Sequence, residues 1–331
     1  MTRPWAAGAA TGVGSLPGVD PVEAARLVFG ELPGLPHLPE LPGRGPGAEV
    51  IGRSGGLLVD LPVEIVPSGW RLASRPGRDL QRAREFLLRD LDALEKVADG
   101  YTGALKLQIV GPWTLASNVE LASGHKVVSD YGAARDLAES LAEGLRVHLA
   151  DVATRVPGAA LVVQVDEPGL NAVLAGQVLT PSGYGTVRAV DPHVVEQALR
   201  TVLDVAPRGA RVVHCCADDA PIELLRAAGA DAVSVDLSVV GVGQYDELGA
   251  AVEAGVSLWL GVVPSTDAVI TQDAARERVR ALWNALGFAP SQLAASVVPT
   301  PACGLSGATD AYVRRALAVL RDTGKSLLDE G

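Results

Sequence analysis

The three cysteines of the chain and one histidine have the types and the spacing of a metal site. His214, Cys215 and Cys216 directly follow an apolar run that is typical of a buried strand, and Cys303 follows a second such run. Side chains alternate between the two faces of a strand, so His214 and Cys216 are expected on one face and Cys215 on the other. An imidazole and two thiolates that converge from two strand ends are typical zinc ligands. The alternative is that the cysteines are small buried apolar side chains and that His214 is an ordinary core histidine.

Polar residues also follow four other apolar runs of the sequence. Gly14 and Ser15 offer backbone N–H groups and a hydroxyl, which suit a carboxylate. Glu40 follows the next run. Asp166 is suited to hold a substrate ammonium group, and its alternative role is to end a strand in a turn. Asp236 is suited to be a fourth zinc ligand, and its alternative role is to cap a helix.

Short apolar runs alternate with longer helical patterns along the chain. Strands are predicted at residues 11–15, 35–38, 105–110, 160–165, 211–214, 232–236, 258–262 and 295–298. Helices are predicted at residues 21–29, 80–98, 133–153, 193–205, 221–228, 245–254, 274–286 and 311–328. Continuously apolar strands that alternate with helices favour a parallel sheet covered on both faces. The pattern predicts an α/β TIM (β/α)8 barrel that residues 1–331 form as a single domain, with a doubly wound sheet as the alternative.

A stretch rich in proline and glycine, residues 31–56, interrupts this alternation after the first predicted helix. Leucine and valine are interleaved throughout the stretch, so we predict an ordered loop insertion over the mouth of the barrel rather than a flexible linker. The residues that follow, 57–72, are apolar with turn residues between them and predict a small hairpin.

Composition and charge exclude several classes of protein. The chain has 331 residues and a formal net charge of −11, so it would repel a nucleic acid. No signal peptide is recognisable at the N-terminus, and the apolar runs are too short to span a membrane. Three cysteines, two of them adjacent, do not suit a disulfide framework. A reducing cytoplasm is therefore the expected location.

Short motifs spread over nearly the whole chain resemble those of one enzyme family. They are, in order, Val13-Gly14-Ser15-Leu16-Pro17, Val110-Gly111-Pro112, Gln164-Val165-Asp166-Glu167-Pro168, His214-Cys215-Cys216, Val235-Asp236 and Cys303-Gly304-Leu305. Together they resemble the catalytic, C-terminal barrel of cobalamin-independent methionine synthase. The resemblance implies a zinc ion with the ligands His214, Cys216, Asp236 and Cys303. It also implies that homocysteine is bound by Gly14, Ser15 and Asp166, with Glu40 as a further match.

Three features depart from the pattern of that family. The chain is too short to contain the additional N-terminal barrel of the full-length synthase, and the shorter Asp236 replaces the zinc-binding glutamate. The family's histidine after the seventh strand has no counterpart in residues 261–267, and Asn118-Val119 stands near the place of a tryptophan close to the pterin. The thiol half of the site is thus present and the folate half is incomplete. We therefore expect methylcobalamin, free or on a corrinoid partner protein, to be a better methyl donor than methyltetrahydrofolate.

The resemblance and the residues together predict a zinc-dependent methyltransferase that activates homocysteine, or a similar small thiol, for S-methylation to methionine. One alternative keeps the zinc and changes the thiol, as in related coenzyme M alkyltransferases. Another is a non-catalytic barrel that zinc stabilises. Uroporphyrinogen decarboxylase shares the expected fold but uses no metal, and the set of one histidine and two cysteines argues against it.

Overall fold

A curled, parallel sheet of six strands forms the centre of the fold. The computed structural model describes residues 3–330. The strands are β1 (Val63–Val66), β2 (Gly69–Leu72), β3 (Ala104–Val110), β4 (Ala160–Asp166), β5 (Arg211–Cys215), β6 (Ala232–Asp236), β7 (Ser257–Val263) and β8 (Val297–Pro301). Strands β3 to β8 form the parallel sheet in chain order, and β1 and β2 form a separate antiparallel hairpin. This order confirms the α/β class, and the hairpin confirms the one predicted at 57–72.

Helices pack against the outer face of the sheet. They are α1 (Pro21–Glu31), α2 (Val50–Gly55), α3 (Arg78–Val97), α4 (Pro112–Asn118), α5 (Tyr131–Arg155), α6 (Leu170–Leu174), α7 (Pro192–Leu203), α8 (Ile222–Ala227), α9 (Tyr245–Glu253), α10 (Gln272–Leu286), α11 (Leu293–Ser296) and α12 (Asp310–Ser326). The cap of α1 explains where the helix begins, because the Asp20 carboxylate accepts from two backbone N–H groups and Pro21 is the first helical residue. Within residues 3–330, no helix is both long enough and apolar enough to cross a membrane.

Two N-terminal segments connect the edge strands β8 and β3. The Thr11 N–H donates to the Pro299 carbonyl over 3.3 Å, which attaches the first segment to β8. A parallel bridge joins Ser15 to Glu40, and another joins His37 to Lys106 of β3. The predicted strands at 11–15 and 35–38 are therefore present as isolated bridges rather than as continuous ladders. Proline and glycine in these segments explain the difference, because proline lacks an N–H donor and glycine weakens a strand.

The short helices α4 and α6 were not predicted, and two further differences concern residues 295–298 and 31–56. The strand predicted at 295–298 begins only at Val297, because the alanine-rich residues before it form the short helix α11. The stretch 31–56 contains α2 and a 3-10 turn at Pro42–Arg44, so it is not one irregular loop. Glu49 caps α2 and accepts a hydrogen bond from the Trp70 indole, which fastens the helix to the hairpin.

The lower end of the sheet, where the strands begin, is closed by aromatic packing. Trp5 and Trp259 meet edge to face, with ring centroids 5.2 Å apart, and small apolar residues at the starts of the strands surround them. The polar residues that follow the strands consequently lie at the opposite end, where a site has access to solvent.

Candidate metal centre

His214, Cys216 and Cys303 come together at the carboxyl ends of β5 and β8. One ligand atom from each residue lies within 4.8 Å of the other two. The two sulfur atoms are 3.3 Å apart, which is longer than a disulfide bond and short enough for both thiols to contact one ion. The two ligand-bearing loops follow strands that are separated by β6 and β7, so the curl of the sheet brings them together.

The imidazole of His214 is held in an orientation that leaves one nitrogen free. Its Nδ1 lies 2.9 Å from the hydroxyl of Ser234, a buried residue of β6. Its Nε2 is buried and has no hydrogen-bond partner among residues 3–330. A buried polar atom without a partner is costly, and a metal ion at Nε2 would remove that cost. The donor set of one nitrogen and two sulfurs therefore fits zinc.

The electrostatics of the two thiols differ sharply. The hydrogen bond from Cys216, followed by the proximity of His214, lowers the pKa of Cys303 to about 4. The same hydrogen bond and burial raise the pKa of Cys216, so the pair shares one proton. Cys215 packs in the apolar layer behind the sheet, where burial raises the pKa of its thiol to about 11. The hydrogen bond between the two thiols thus favours the thiolate at Cys303 over the thiolate at Cys216.

Asp236 lies at the end of β6 and outside this group. Its Oδ1 accepts from the backbone N–H and from the hydroxyl of Ser238, over 2.8 and 2.7 Å. The carboxylate thus closes the turn after the strand, and it does not cap a helix, since the next helical turn begins only at Val242. The structure does not bring Asp236 together with the three other predicted ligands.

Gly14 and Ser15 lie against the loop that carries Cys303. The N–H of Leu305 donates to the Ser15 carbonyl over 2.8 Å. A Cβ on Gly304 would lie 2.0 Å from the Ser15 hydroxyl oxygen, so a larger residue there would require the Ser15 side chain to rotate away. The predicted residue Glu40 is bridged to Ser15, and its N–H donates to the Gly14 carbonyl. Ser15 therefore contacts the cysteine loop, and Gly14 and Glu40 lie directly behind Ser15.

Asp166 and Glu167 are neighbours in sequence with different surroundings. Asp166 lies in register with His214, and its Oδ1 accepts from Gln164 Nε2 over 2.7 Å. Burial raises its pKa to about 7. The Glu167 carboxylate instead accepts from the N–H groups of Trp113 and Thr114, at the start of α4. Burial raises the pKa of Glu167 to about 7 as well, and these hydrogen bonds oppose the rise. Of these two acids, only Asp166 lies on the inner face of the sheet, the face that also carries Gln164.

A chain of buried charges supports Glu40. Arg53 of α2 lies 3.6 Å from the Glu40 carboxylate and also pairs with Asp90 of α3. Arg44 completes the chain with two hydrogen bonds to Asp90, of 2.7 and 2.9 Å. Burial raises the pKa of Glu40, and the charge of Arg53 opposes the rise. The stretch 31–56 thus supplies Arg53, whose positive charge stabilises the buried Glu40 carboxylate next to the site.

Several residues of the site were not predicted from the sequence. They are Lys106, Gln108, Gln164, Glu167 and Ser234, all of them buried. Burial lowers the pKa of Lys106 to about 7, although the charges of Asp166 and Glu40 oppose this. One sequence signal was available, because Lys106 and Gln108 occupy alternate positions of an otherwise apolar strand and therefore share its inner face.

The family model for the catalytic domain of cobalamin-independent synthase matches residues 8–326. The chain belongs to this family. Membership in the cobalamin-independent synthase family confirms the resemblance found in the sequence, and it makes the protein a methyltransferase of methionine synthesis. The name of the family gives no support to a corrinoid partner.

One solved methionine synthase has a similar fold. A B12-independent methionine synthase from Shewanella sp. W3-18-1, in complex with selenomethionine, has a TM-score of 0.62 at 14% identity, and the alignment covers 98% of this chain and 99% of that one. GH5_18 from Streptomyces cattleya has a TM-score of 0.49 at 16% identity, over 98% of this chain and 81% of that one. No curated protein matches the chain. At these identities the likeness concerns the fold alone.

Proposed function

We propose that the protein transfers a methyl group to the sulfur of homocysteine, or of a similar small thiol, with the help of zinc. The observation that carries the proposal is the convergence of three ligand atoms, one of them a buried imidazole nitrogen without a partner among the described residues. His214, Cys216 and Cys303 would hold the ion. Zinc bound there would lower the pKa of a substrate thiol and make its thiolate available at neutral pH. Asp236 lies outside the group of ligand atoms and becomes a fourth ligand only if its carboxylate moves toward that group.

The remaining predicted residues form the binding site for the amino-acid part of the substrate. Gly14 and Ser15 adjoin the cysteine loop and would bind the carboxylate, as their N–H groups and hydroxyl allow. Asp166 is in register with His214 and would bind the ammonium group. Glu40 supplies a second acid next to Ser15. These roles orient the substrate, so its sulfur faces the cysteine loop.

The proposed function is tested by two measurements on the purified protein. We expect about one zinc per chain by elemental analysis, as for a single three- or four-ligand site. We also expect methionine to be formed from homocysteine and a methyl donor, detected by mass spectrometry. Protein that binds zinc with no methylated product from any donor would instead favour a barrel that zinc merely stabilises.

Replacing Asp166 by asparagine should weaken homocysteine binding and leave the zinc content unchanged. An amide keeps the size of the side chain but loses the charge that attracts an ammonium group, so KM should rise by roughly ten- to a hundredfold. The matched substrate is 4-mercaptobutanoate, which lacks only the amine. Its KM should not change in the variant. Equal KM values of the wild-type protein for the two thiols would contradict the role of Asp166.

Removing the hydroxyl of Ser234 should weaken zinc binding without removing a ligand. Ser234→Ala frees Nδ1 of His214, so the ring loses the contact that fixes its orientation, and zinc affinity should fall by about 10- to 100-fold. The affinity is measured by competition with a chromophoric chelator. Ser257→Ala is the matched control, since Ser257 is equally buried and its hydroxyl has no partner within residues 3–330. A similar loss in both variants would contradict the orienting role.

We further propose that residues 1–331 form one domain, an eight-stranded barrel in which the segments 11–15 and 35–38 take the places of the first two strands. The proposal is supported by the bridges that attach one segment to the next and then to Lys106, and by the Thr11 hydrogen bond to Pro299 of β8. In a closed barrel, residues that follow the first and the last strand can act on one substrate, as the proposed function requires of Ser15 and Cys303.

A further inference from the structure

We infer that Lys106 is a positioning residue, which through Gln164 fixes the groups that bind the amino-acid part of the substrate. The inference rests on the proposed function, since it concerns the same site. Lys106 lies on the inner face of β3 and is fully buried, whereas the ligands of the metal centre come from β5 and β8. It does not touch the reacting sulfur in the proposed arrangement.

All three donors of the Lys106 ammonium group are used. Its Nζ donates to the Val13 carbonyl over 2.7 Å, to Gln164 Oε1 over 2.8 Å and to Gln108 Oε1 over 3.3 Å. A buried charge is unfavourable unless it is paired and fully hydrogen-bonded, and an apolar residue would have filled the same space without that cost. Burying the Lys106 ammonium group therefore lowers the stability of the fold relative to an apolar side chain, which indicates that this lysine has a role in the site.

Gln164 passes the effect of Lys106 on to the substrate site. With its oxygen held by Lys106, its amide nitrogen donates to the Val13 carbonyl over 2.8 Å and to Asp166 Oδ1 over 2.7 Å. Lys106, Gln164 and Val13 thus form a closed triangle of hydrogen bonds. Val13 directly precedes Gly14 and Ser15, and Gln164 donates a hydrogen bond to Asp166.

This triangle links the two halves of the proposed recognition site. The residue before Gly14 fixes the loop that would bind the carboxylate, and Asp166 would bind the ammonium group. Val13 is hydrogen-bonded to the Lys106 ammonium group directly, and Asp166 is connected to it through Gln164. The distance between the carboxylate-binding loop and Asp166 is therefore set by Lys106 and Gln164 and not by the loop alone. Loss of either residue should therefore affect thiols that carry an amino-acid group and spare thiols that do not.

The test compares two thiols in wild-type protein and in Lys106→Met. The thiols are homocysteine and propane-1-thiol, which has neither the amine nor the carboxylate. We expect Lys106→Met to raise KM for homocysteine roughly tenfold or more. The zinc content, and both kcat and KM for propane-1-thiol, should stay at wild-type values. A purely structural role would lower activity toward both thiols in proportion to the folded protein lost.

Two further variants keep the inference decidable. Gln164→Met removes the link but leaves Lys106 and Asp166 in place, and it should shift the ratio of the two KM values in the same direction. If Lys106→Met does not fold, Gln164→Met alone tests the inference. Lys96→Met, at an exposed lysine near the end of α3, controls for the loss of a positive charge and should match the wild type.

The outcomes separate the inference from the proposed function. A wild-type protein that does not prefer homocysteine to propane-1-thiol would overturn the proposed recognition of the amino-acid group, and the inference with it. A protein that methylates neither thiol would overturn the proposed function. A wild-type preference that Lys106→Met and Gln164→Met both retain would overturn only the role of Lys106. A ratio shifted in both variants, with zinc retained, supports the inference.

Discussion

Cys216→Ser and Cys303→Ser are each expected to lose most of the bound zinc and more than about a hundredfold of the activity, because removing a ligand should cost more than removing the residue that orients one. Both sulfurs belong to the group whose ligand atoms lie within 4.8 Å of one another. Serine is a poor zinc ligand, and its hydroxyl would leave two donors at most. Elemental analysis of the purified variants, together with methionine formation, measures the two effects.

Cys215 provides the control within the same tripeptide. Its side chain packs behind the sheet, so Cys215→Ser should keep its zinc. A hydroxyl in that apolar layer should lower the free energy of unfolding by about 1–3 kcal/mol, which thermal melting will detect. Zinc loss from Cys215→Ser as complete as that from Cys216→Ser would show that the two faces of β5 are not used as we propose.

The methyl donor should have the second large effect, with methylcobalamin outperforming methyltetrahydrofolate. The amine nitrogen of methylfolate leaves poorly unless it is protonated, and the loop after β7 contains no histidine to deliver a proton. Asp267 is an acid in that loop, but the N–H and hydroxyl of Thr309 bind its carboxylate and lower its pKa. A carboxylate engaged at the start of α12 is a poor proton donor. A corrinoid donor needs no proton, since cobalt leaves as the reduced metal centre.

Side-by-side turnover of homocysteine with each donor measures this difference. Asp267→Asn should change neither rate appreciably, because its carboxylate is engaged by Thr309, the N-cap residue of α12. A selective loss of the folate reaction in Asp267→Asn would identify Asp267 as the acid after all. Steady turnover with methyltetrahydrofolate, at a rate equal to or above that with methylcobalamin, would refute the predicted order of donors.

Sequence periodicity was sufficient for the central sheet and for the longer helices. The strands β3 to β7 are mostly apolar and largely buried, which is typical of a parallel sheet covered on both faces. The segments at 11–15 and 35–38 were harder, because their bridges depend on neighbours far away in the chain. Local propensity also failed before β8, where alanines extend a helix up to the first β-branched residue, Val297.

The candidate site was predictable to the extent that strand alternation controls it. Alternation places His214 and Cys216 on one face, and the ends of parallel strands bring Cys303 to the same rim. The position of Asp236 was not predictable, because a hydrogen bond two residues along the chain competes for its carboxylate. Lys106 and Arg53 were missed for a different reason. The partners that make burial of their charges tolerable come from distant elements, and the sequence alone does not show them.

The contact between Ser15 and the loop that carries Cys303 bears on when a metal could bind. Cys303 reaches its place only when the last loop lies against the first, where the Leu305 N–H donates to the Ser15 carbonyl over 2.8 Å. A ribosome releases these two segments at widely separated times. On the proposed function, the nascent chain therefore cannot use zinc to guide the folding of its earlier strands, as a zinc finger does. Metal loading becomes a step that follows closure of the fold, and its speed depends on access through the open rim.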